Sequence, residues 1–188
     1  LDSGLEETLP YDKVSFDIHL TDWSGDSRYF SLENYDSTAQ AWRISVYSRD
    51  PLALHSTDVE DSYRVWSPTR PEYASVTLTP DHQIRLTLTP MDGFALSRLI
   101  DAPAFNRLSW SPDGETLALI SQSCADCDSP LWQYRLFDRS GTPISPVLSG
   151  TSASPANLYS DPPDPSAVWL EDSSHFYWFE QTGESSRL

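Results

Sequence analysis

Four tryptophans recur along this chain in matching surroundings, and no other feature limits its fold so strongly. The surroundings are Asp22-Trp23-Ser24-Gly25-Asp26, Val65-Trp66-Ser67-Pro68, Ser109-Trp110-Ser111-Pro112-Asp113-Gly114 and Val168-Trp169-Leu170-Glu171-Asp172. The intervals are 43 residues (Trp23 to Trp66), 44 (Trp66 to Trp110) and 59 (Trp110 to Trp169). A period near forty marks stacked copies of one supersecondary unit, each of which needs a neighbour to bury its apolar face. Arrays of this kind present surfaces more often than they carry catalytic groups.

Between the tryptophans the chain alternates apolar and polar residues, the period of a strand with one buried face. Val14–Leu20, Arg28–Leu32, Trp42–Tyr47, Ile84–Leu88 and Trp132–Phe137 all show it. The 15 prolines and many Ser-Asp or Asp-Gly pairs fall between these runs, where turn chemistry belongs. No apolar stripe of helical spacing exceeds two turns. The chain reads as all-β.

The repeats align as a short strand into the tryptophan, a turn, two longer strands and a looser last strand. The first copy is expected to run Phe16–Leu20, turn Ser24–Ser27, Tyr29–Asn34, Trp42–Tyr47 and Leu52–His55. The second runs Tyr63–Trp66, Tyr73–Leu78, Ile84–Thr89 and Ala95–Ile100, and the third Arg107–Trp110, Thr116–Ser121, Trp132–Asp138 and Ile144–Leu148. The fourth has Val168–Trp169 and His175–Glu180 before residue 188. Residues 1–10 read as an acidic leader or linker, and 11–188 as one repeat domain with units about 15–60, 61–103, 104–150 and an incomplete 166–188.

The third copy, Leu108-Ser109-Trp110-Ser111-Pro112-Asp113-Gly114-Glu115-Thr116-Leu117-Ala118-Leu119-Ile120-Ser121, resembles the TolB-like, WD-like β-propeller repeat. Pro112 presets φ for a β-turn, Asp113 bonds the local backbone, and Gly114 takes positive φ without steric cost. The resemblance implies a β-propeller of about four blades, or part of a larger one, with four antiparallel strands per blade. It also implies that Trp110 wedges between neighbouring blades, with Trp23, Trp66 and Trp169 at the corresponding positions of the blade motif. The other copies keep less of the motif: Trp23 lacks the proline, Trp66 lacks Asp-Gly, and Trp169 keeps only an acid. A β-sandwich is the competing fold, since it also gives short strands with regular turns.

Three and a half blades leave the ring unclosed. The missing strand comes from residues 11–20, from residues beyond Leu188, or from another subunit. The long third interval lies in Ser149–Ser166, a Ser/Pro/Asp-rich surface loop between blades.

With 28 acidic and 12 basic residues the net charge is −16, and Lys13 is the sole lysine. This excess opposes binding to nucleic acid or to an anionic membrane surface. It fits a solubilising surface, adaptation to high salt, or docking of a cationic partner. No apolar run is long enough to span a bilayer as a helix. The near absence of lysine and one close cysteine pair point to an extracytoplasmic origin.

Few residues suggest chemistry. Cys124 and Cys127 make half of a zinc site at most, and no helix follows to lower a thiol pKa. A local disulfide is the preferred reading, with free thiols and metal or redox chemistry as the alternatives. Asp126, Asp128, Asp161 and Asp164 lack calcium-loop spacing and read as solvated turn acids. The four histidines, His19, His55, His82 and His175, are scattered. No Gly-x-Ser-x-Gly elbow or phosphate loop occurs, so no catalytic residue, cofactor or metal site is nominated. In the aromatic run His175–Phe179, Tyr177 and Phe179 are candidate interface anchors, against the plainer reading of a strand buried on both faces.

Three functional readings follow. The first is a non-enzymatic scaffold that binds a protein or peptide. The second is a structural subunit, a homo-oligomer or part of a larger complex, whose incomplete blade a neighbour completes. The third is the gating propeller of a prolyl-oligopeptidase-like serine peptidase whose catalytic domain lies outside this chain.

Overall fold

The computed structural model describes residues 18–38, 40–59, 62–81, 83–102, 104–123, 132–150, 167–169, 171–173, 175–178, 180–182 and 185–187. These form strands and turns only, without a helix. The first sheet contains β1 (Ile18–Trp23), β2 (Tyr29–Asp36), β3 (Ala41–Arg49) and β4 (Leu52–Val59). The second contains β5 (Ser62–Trp66), β6 (Glu72–Leu78), β7 (Ile84–Pro90) and β8 (Leu96–Ile100). The third contains β9 (Ala104–Trp110), β10 (Thr116–Gln122), β11 (Trp132–Asp138) and β12 (Leu148–Gly150). Each is an antiparallel meander with its strands in chain order. Two hairpins follow: β13 (Ala167–Trp169) with β14 (Phe176–Trp178), and β15 (Glu180–Thr182) with β16 (Ser185–Arg187).

The sheets stack through their first strands: β1 packs on β5, and β5 and β6 pack on β9. The outer edges are therefore β4, β8 and β12. All four tryptophans end a first strand, in the same register against the second. Trp23 pairs with Phe30, Trp66 with Tyr73, Trp110 with Leu117 and Trp169 with Phe176.

The core lies between sheets. Between the second and third, Ala74, Val76, Ile84, Leu86 and Leu88 meet Leu108, Trp110, Leu117, Leu119 and Phe137. Paired residues on neighbouring strands share a face and successive residues alternate. The Trp110–Leu117–Phe137 row of the third sheet thus faces the second. A smaller cluster of Val46, Trp66 and Tyr73, with Tyr29 and Met91 against it, joins the first two sheets.

Three expectations need correction. The first strand extends to Trp23 rather than ending at Leu20, because a bulge between Leu20 and Asp22 carries the ladder past Thr21 and Asp22; Phe16 and Asp17 lie outside the described residues. Its residues 18–20 pair with β2, inside the first blade, so they do not complete the fourth. The last strand of the third sheet is Leu148–Gly150 rather than Ile144–Leu148. Pro143 and Pro146 lack the N–H a ladder needs, and the stretch before it makes a single bridge from Phe137 to Pro143.

Candidate functional site

The first and third tryptophan turns are each built locally by one serine. Ser24 Oγ donates to Asp26 Oδ1 (2.7 Å) and accepts from the Tyr29 N–H (3.0 Å). Ser111 Oγ donates to Asp113 Oδ1 (2.6 Å) and accepts from the Thr116 N–H (2.9 Å). The Glu115 N–H adds a bond to Asp113 Oδ1 (3.0 Å). This is the Asx-turn chemistry that lets a short polar side chain stand in for a backbone partner.

These bonds favour the ionised carboxylates. The Ser111 hydroxyl and then the Glu115 N–H hold Asp113 below its ordinary value. At Asp26, burial pushes upward, but the hydrogen bonds of Ser24 and Arg28 and the Arg28 charge outweigh it and lower the pKa. Asp138, in the turn after β11, is lowered by the Ser140 hydroxyl and the Thr142 N–H.

The fourth residue after the tryptophan takes a left-handed conformation in three copies: Ser27 (φ 58°), Gly114 (φ 72°) and Ser173 (φ 58°). Gly114 fulfils the sequence expectation for that position. It is also hemmed in from outside its own sheet, since an added Cβ would meet Thr69 Oγ1 at 2.4 Å and Ser67 Oγ at 2.8 Å.

Successive turns are hydrogen-bonded into one chain. The Gly25 N–H donates to Ser67 O (3.1 Å), Thr69 Oγ1 donates to Asp113 O (3.0 Å), and the Asp113 N–H donates to Ser173 Oγ (2.9 Å). Gly25 stands where the second and third copies have Pro68 and Pro112. A Cβ there would lie 2.0 Å from Pro68 O, so only glycine permits this approach of two backbones. Its importance was not readable from the motif, where it appeared only as a missing proline.

The indoles form a second line of contacts, each reaching back to the preceding sheet. Trp66 Nε1 donates to Ser31 Oγ (3.0 Å), Trp110 Nε1 to Val65 O (3.3 Å) and Trp169 Nε1 to Ser109 O (3.3 Å). Trp66 and Trp110 are 6% and 8% exposed, whereas Trp23 is 40% exposed. Trp23 leans on Phe30 (ring centroids 5.0 Å apart), and its indole N–H meets no acceptor among the described residues. Two ion pairs brace the second and third sheets. Arg139 binds Glu72 with both oxygens at 2.9 Å, and Arg70 pairs with Glu115.

Trp66, Trp110, Trp169, Asp113 and Gly114 thus lie along the seam of junctions between successive sheets, whereas Trp23 is exposed beside Phe30 of its own sheet and Pro112 is exposed in its turn. Cys124, Cys127 and Phe179 lie outside the described residues, as do Asp126, Asp128, Asp161 and Asp164. Tyr177 lies in β14 opposite Val168. His175 pairs with Asp172 (3.5 Å) at the surface. Among the described residues no cluster of His, Cys, Asp and Glu could hold a metal ion.

The exposed feature that sequence reading passed over is β8. Leu96, Ser97, Arg98 and Leu99 are all exposed, Leu96 at 53% and Leu99 at 55%, and Phe94 just before them is 93% exposed. Among the described residues β8 is the last strand of its sheet, and a strand presenting apolar side chains together with such an edge is a ready template for a further strand.

No family model and no curated protein matches the chain. Among solved structures it is similar to the β-propeller domain of the Trilobed protease from Pyrococcus furiosus, described as having an open velcro topology. The TM-score is 0.56 at 12% identity, over 93% of this chain and 57% of that one. It is also similar to an acylaminoacyl peptidase from Pyrococcus horikoshii, with TM-score 0.54 at 12% identity over 84% of this chain and 27% of that one. A putative TolB from Agrobacterium tumefaciens aligns with TM-score 0.45 at 16% identity, over 73% of this chain and 50% of that one. The chain therefore spans less than two thirds of these proteins. Its fold is a β-propeller, as the repeats implied.

Proposed function

We propose that this chain is a non-enzymatic propeller module, exported from the cytoplasm, that binds a protein partner through an extended segment added along β8. The observation that carries this reading is the exposed edge Leu96–Leu99 with Phe94 beside it. Main-chain bonds from a strand edge give affinity, and flanking side chains give selectivity. The net charge of −16, with exposed Asp92 and Asp101 at the two ends of the strand, favours a basic segment and speeds its approach. The seam supplies a rigid frame that keeps the edge in place. The acidic, lysine-poor sequence and the close Cys124/Cys127 pair support a location outside the cytoplasm.

Selection of displayed random peptides on the immobilised protein tests the proposal. Enrichment of basic peptides with alternating apolar residues, lost in Phe94→Ala and Leu96→Lys, supports it. Failure to enrich any peptide, or binding indifferent to both substitutions, refutes it.

A second reading rests on the two similar peptidases. In it the chain is the propeller part of a longer serine peptidase, and substrate passes this part on the way to a hydrolase domain elsewhere. Labelling the full-length gene product with a fluorophosphonate probe decides the matter. A labelled serine outside these 188 residues favours the second reading, and no labelling rejects it.

A further inference from the structure

The chain holds two Asp-Gly pairs, Asp92-Gly93 and Asp113-Gly114, and the fold treats them in opposite ways. Such a pair carries its own reaction. The glycine backbone nitrogen attacks the aspartate side-chain carboxyl carbon and gives up its proton. One carboxyl oxygen leaves with that proton as water, and a succinimide ring remains. Water then opens the ring, and opening at the α-carbonyl leaves isoaspartate, with the main chain routed through the side chain. Glycine permits the attack because no Cβ shields its nitrogen. The carboxyl must also be free to turn onto that nitrogen and to shed an oxygen, which is easiest from the neutral acid.

Asp113 is withheld from this reaction. Its Oδ1 accepts from the Ser111 hydroxyl (2.6 Å) and the Glu115 N–H (3.0 Å), which hold it in the turn and favour its ionised form. The Gly114 N–H donates to Ser111 O (2.8 Å), and Thr69 and Ser67 crowd the glycine from the preceding sheet. Asp92 has no such restraint. It lies exposed with Gly93 in the β7–β8 turn, and no donor among the described residues bonds its carboxylate. Arg28 acts on it only as a nearby charge. The atoms nearest a Cβ added at Gly93 belong to Pro90 of the same turn.

We propose that Asp92 is a site of spontaneous isoaspartate formation, and that the conversion moves Phe94 relative to β8. Met91 is anchored, since its N–H donates to Pro71 O (2.9 Å) and its side chain packs on Val46, Trp66 and Tyr73. The added backbone atom is therefore taken up on the other side, by Gly93, Phe94 and Ala95. The effect on peptide binding rests on the proposed role of β8; the chemistry does not.

Peptide mapping of folded protein aged in warm, mildly acidic buffer tests this. Fragmentation locates isoaspartate and succinimide, and an isoaspartyl methyltransferase with labelled S-adenosylmethionine counts the converted residues. Conversion at Asp92 is expected to exceed that at Asp113 by at least about tenfold, and the two sites converge in urea. Gly93→Ala slows conversion, and Asp92→Glu, which needs a larger ring, removes the label from that peptide. Equal conversion at the two aspartates in folded protein overturns the proposal, as does a label that stays on the Asp92→Glu peptide. Aged protein is expected to bind the selected basic peptides more weakly than fresh protein, and Gly93→Ala to lose less with age. Binding unaffected by complete conversion overturns the movement of Phe94. Absence of peptide binding even in fresh protein refutes the role of β8 alone, because the mapping does not depend on it.

Discussion

Replacing Gly114 by alanine isolates what the seam contributes, because Gly141 provides a matched control. Both glycines take left-handed backbone, at φ 72° and 71°. An alanine in that region costs about 1–2 kcal/mol, partly offset by about 0.5 kcal/mol from a less flexible unfolded chain. At Gly141 little else happens, since the new Cβ meets Leu88 Cδ1 at an ordinary 3.7 Å. The expected loss there is about 1 kcal/mol. At Gly114 the Cβ lands 2.4 Å from Thr69 Oγ1. Thr69 can rotate away only by giving up its bond to Asp113 O, worth about 1 kcal/mol. Crowding against Ser67 Oγ adds about 1–2 kcal/mol more. Gly114→Ala is therefore expected to cost about 3–4 kcal/mol, against about 1 for Gly141→Ala. Equilibrium urea unfolding measures both, and an unchanged m-value would show that the folded and unfolded states are otherwise comparable. Thr69→Ala combined with Gly114→Ala should recover part of the loss, a coupling of about 1 kcal/mol. Equal costs at the two glycines, or strict additivity with Thr69→Ala, would refute the inference that this contact is tight.

Acid should weaken the turns in a definite direction. Asp26, Asp113 and Asp138 have folded-state values below the ordinary 3.8. Their stabilisation is complete above that value and is lost as pH falls through the lower folded values. Urea midpoints measured from pH 6 down to pH 2 should decline most steeply below about pH 4, and Asp113→Asn should flatten the decline. Arg139→Ala strands the mostly buried Glu72 and is expected to cost about 2 kcal/mol by the same assay, discounted from a fully buried pair. Ser27→Gly relieves a non-glycine left-handed residue at φ 58°. It should raise stability by about 0.5 kcal/mol after glycine's greater unfolded-state freedom is subtracted.

Much of this architecture was legible because local chemistry repeats. The recurring Trp, with a serine or a turn acid after it, located the end of every first strand, and alternation located most of the central strands. Legibility failed where a local rule met an exception. The Val14–Leu20 alternation ended the first strand too early, since nothing in sequence announces the bulge before Asp22. Pro143 and Pro146 were visible, but their effect was given too little weight in placing the third blade's last strand. The seam was hidden for a different reason. Gly25 touches Pro68, and Gly114 touches Thr69, across about one full repeat, so their meaning exists only once blades are stacked. The exposure of β8 is equally non-local, because Leu96 and Leu99 look like core residues until no neighbour covers them.

The backward reach of each indole gives the array a polarity in time. Trp66, Trp110 and Trp169 each seek an acceptor in a sheet that precedes them in the chain. During synthesis the amino-terminal portion emerges first, so each new tryptophan meets a template that already exists and waits for nothing downstream. Loss of blades from the carboxyl end would leave every remaining indole bonded as before. Loss of the first blade would put Trp66 in the position that Trp23 now occupies.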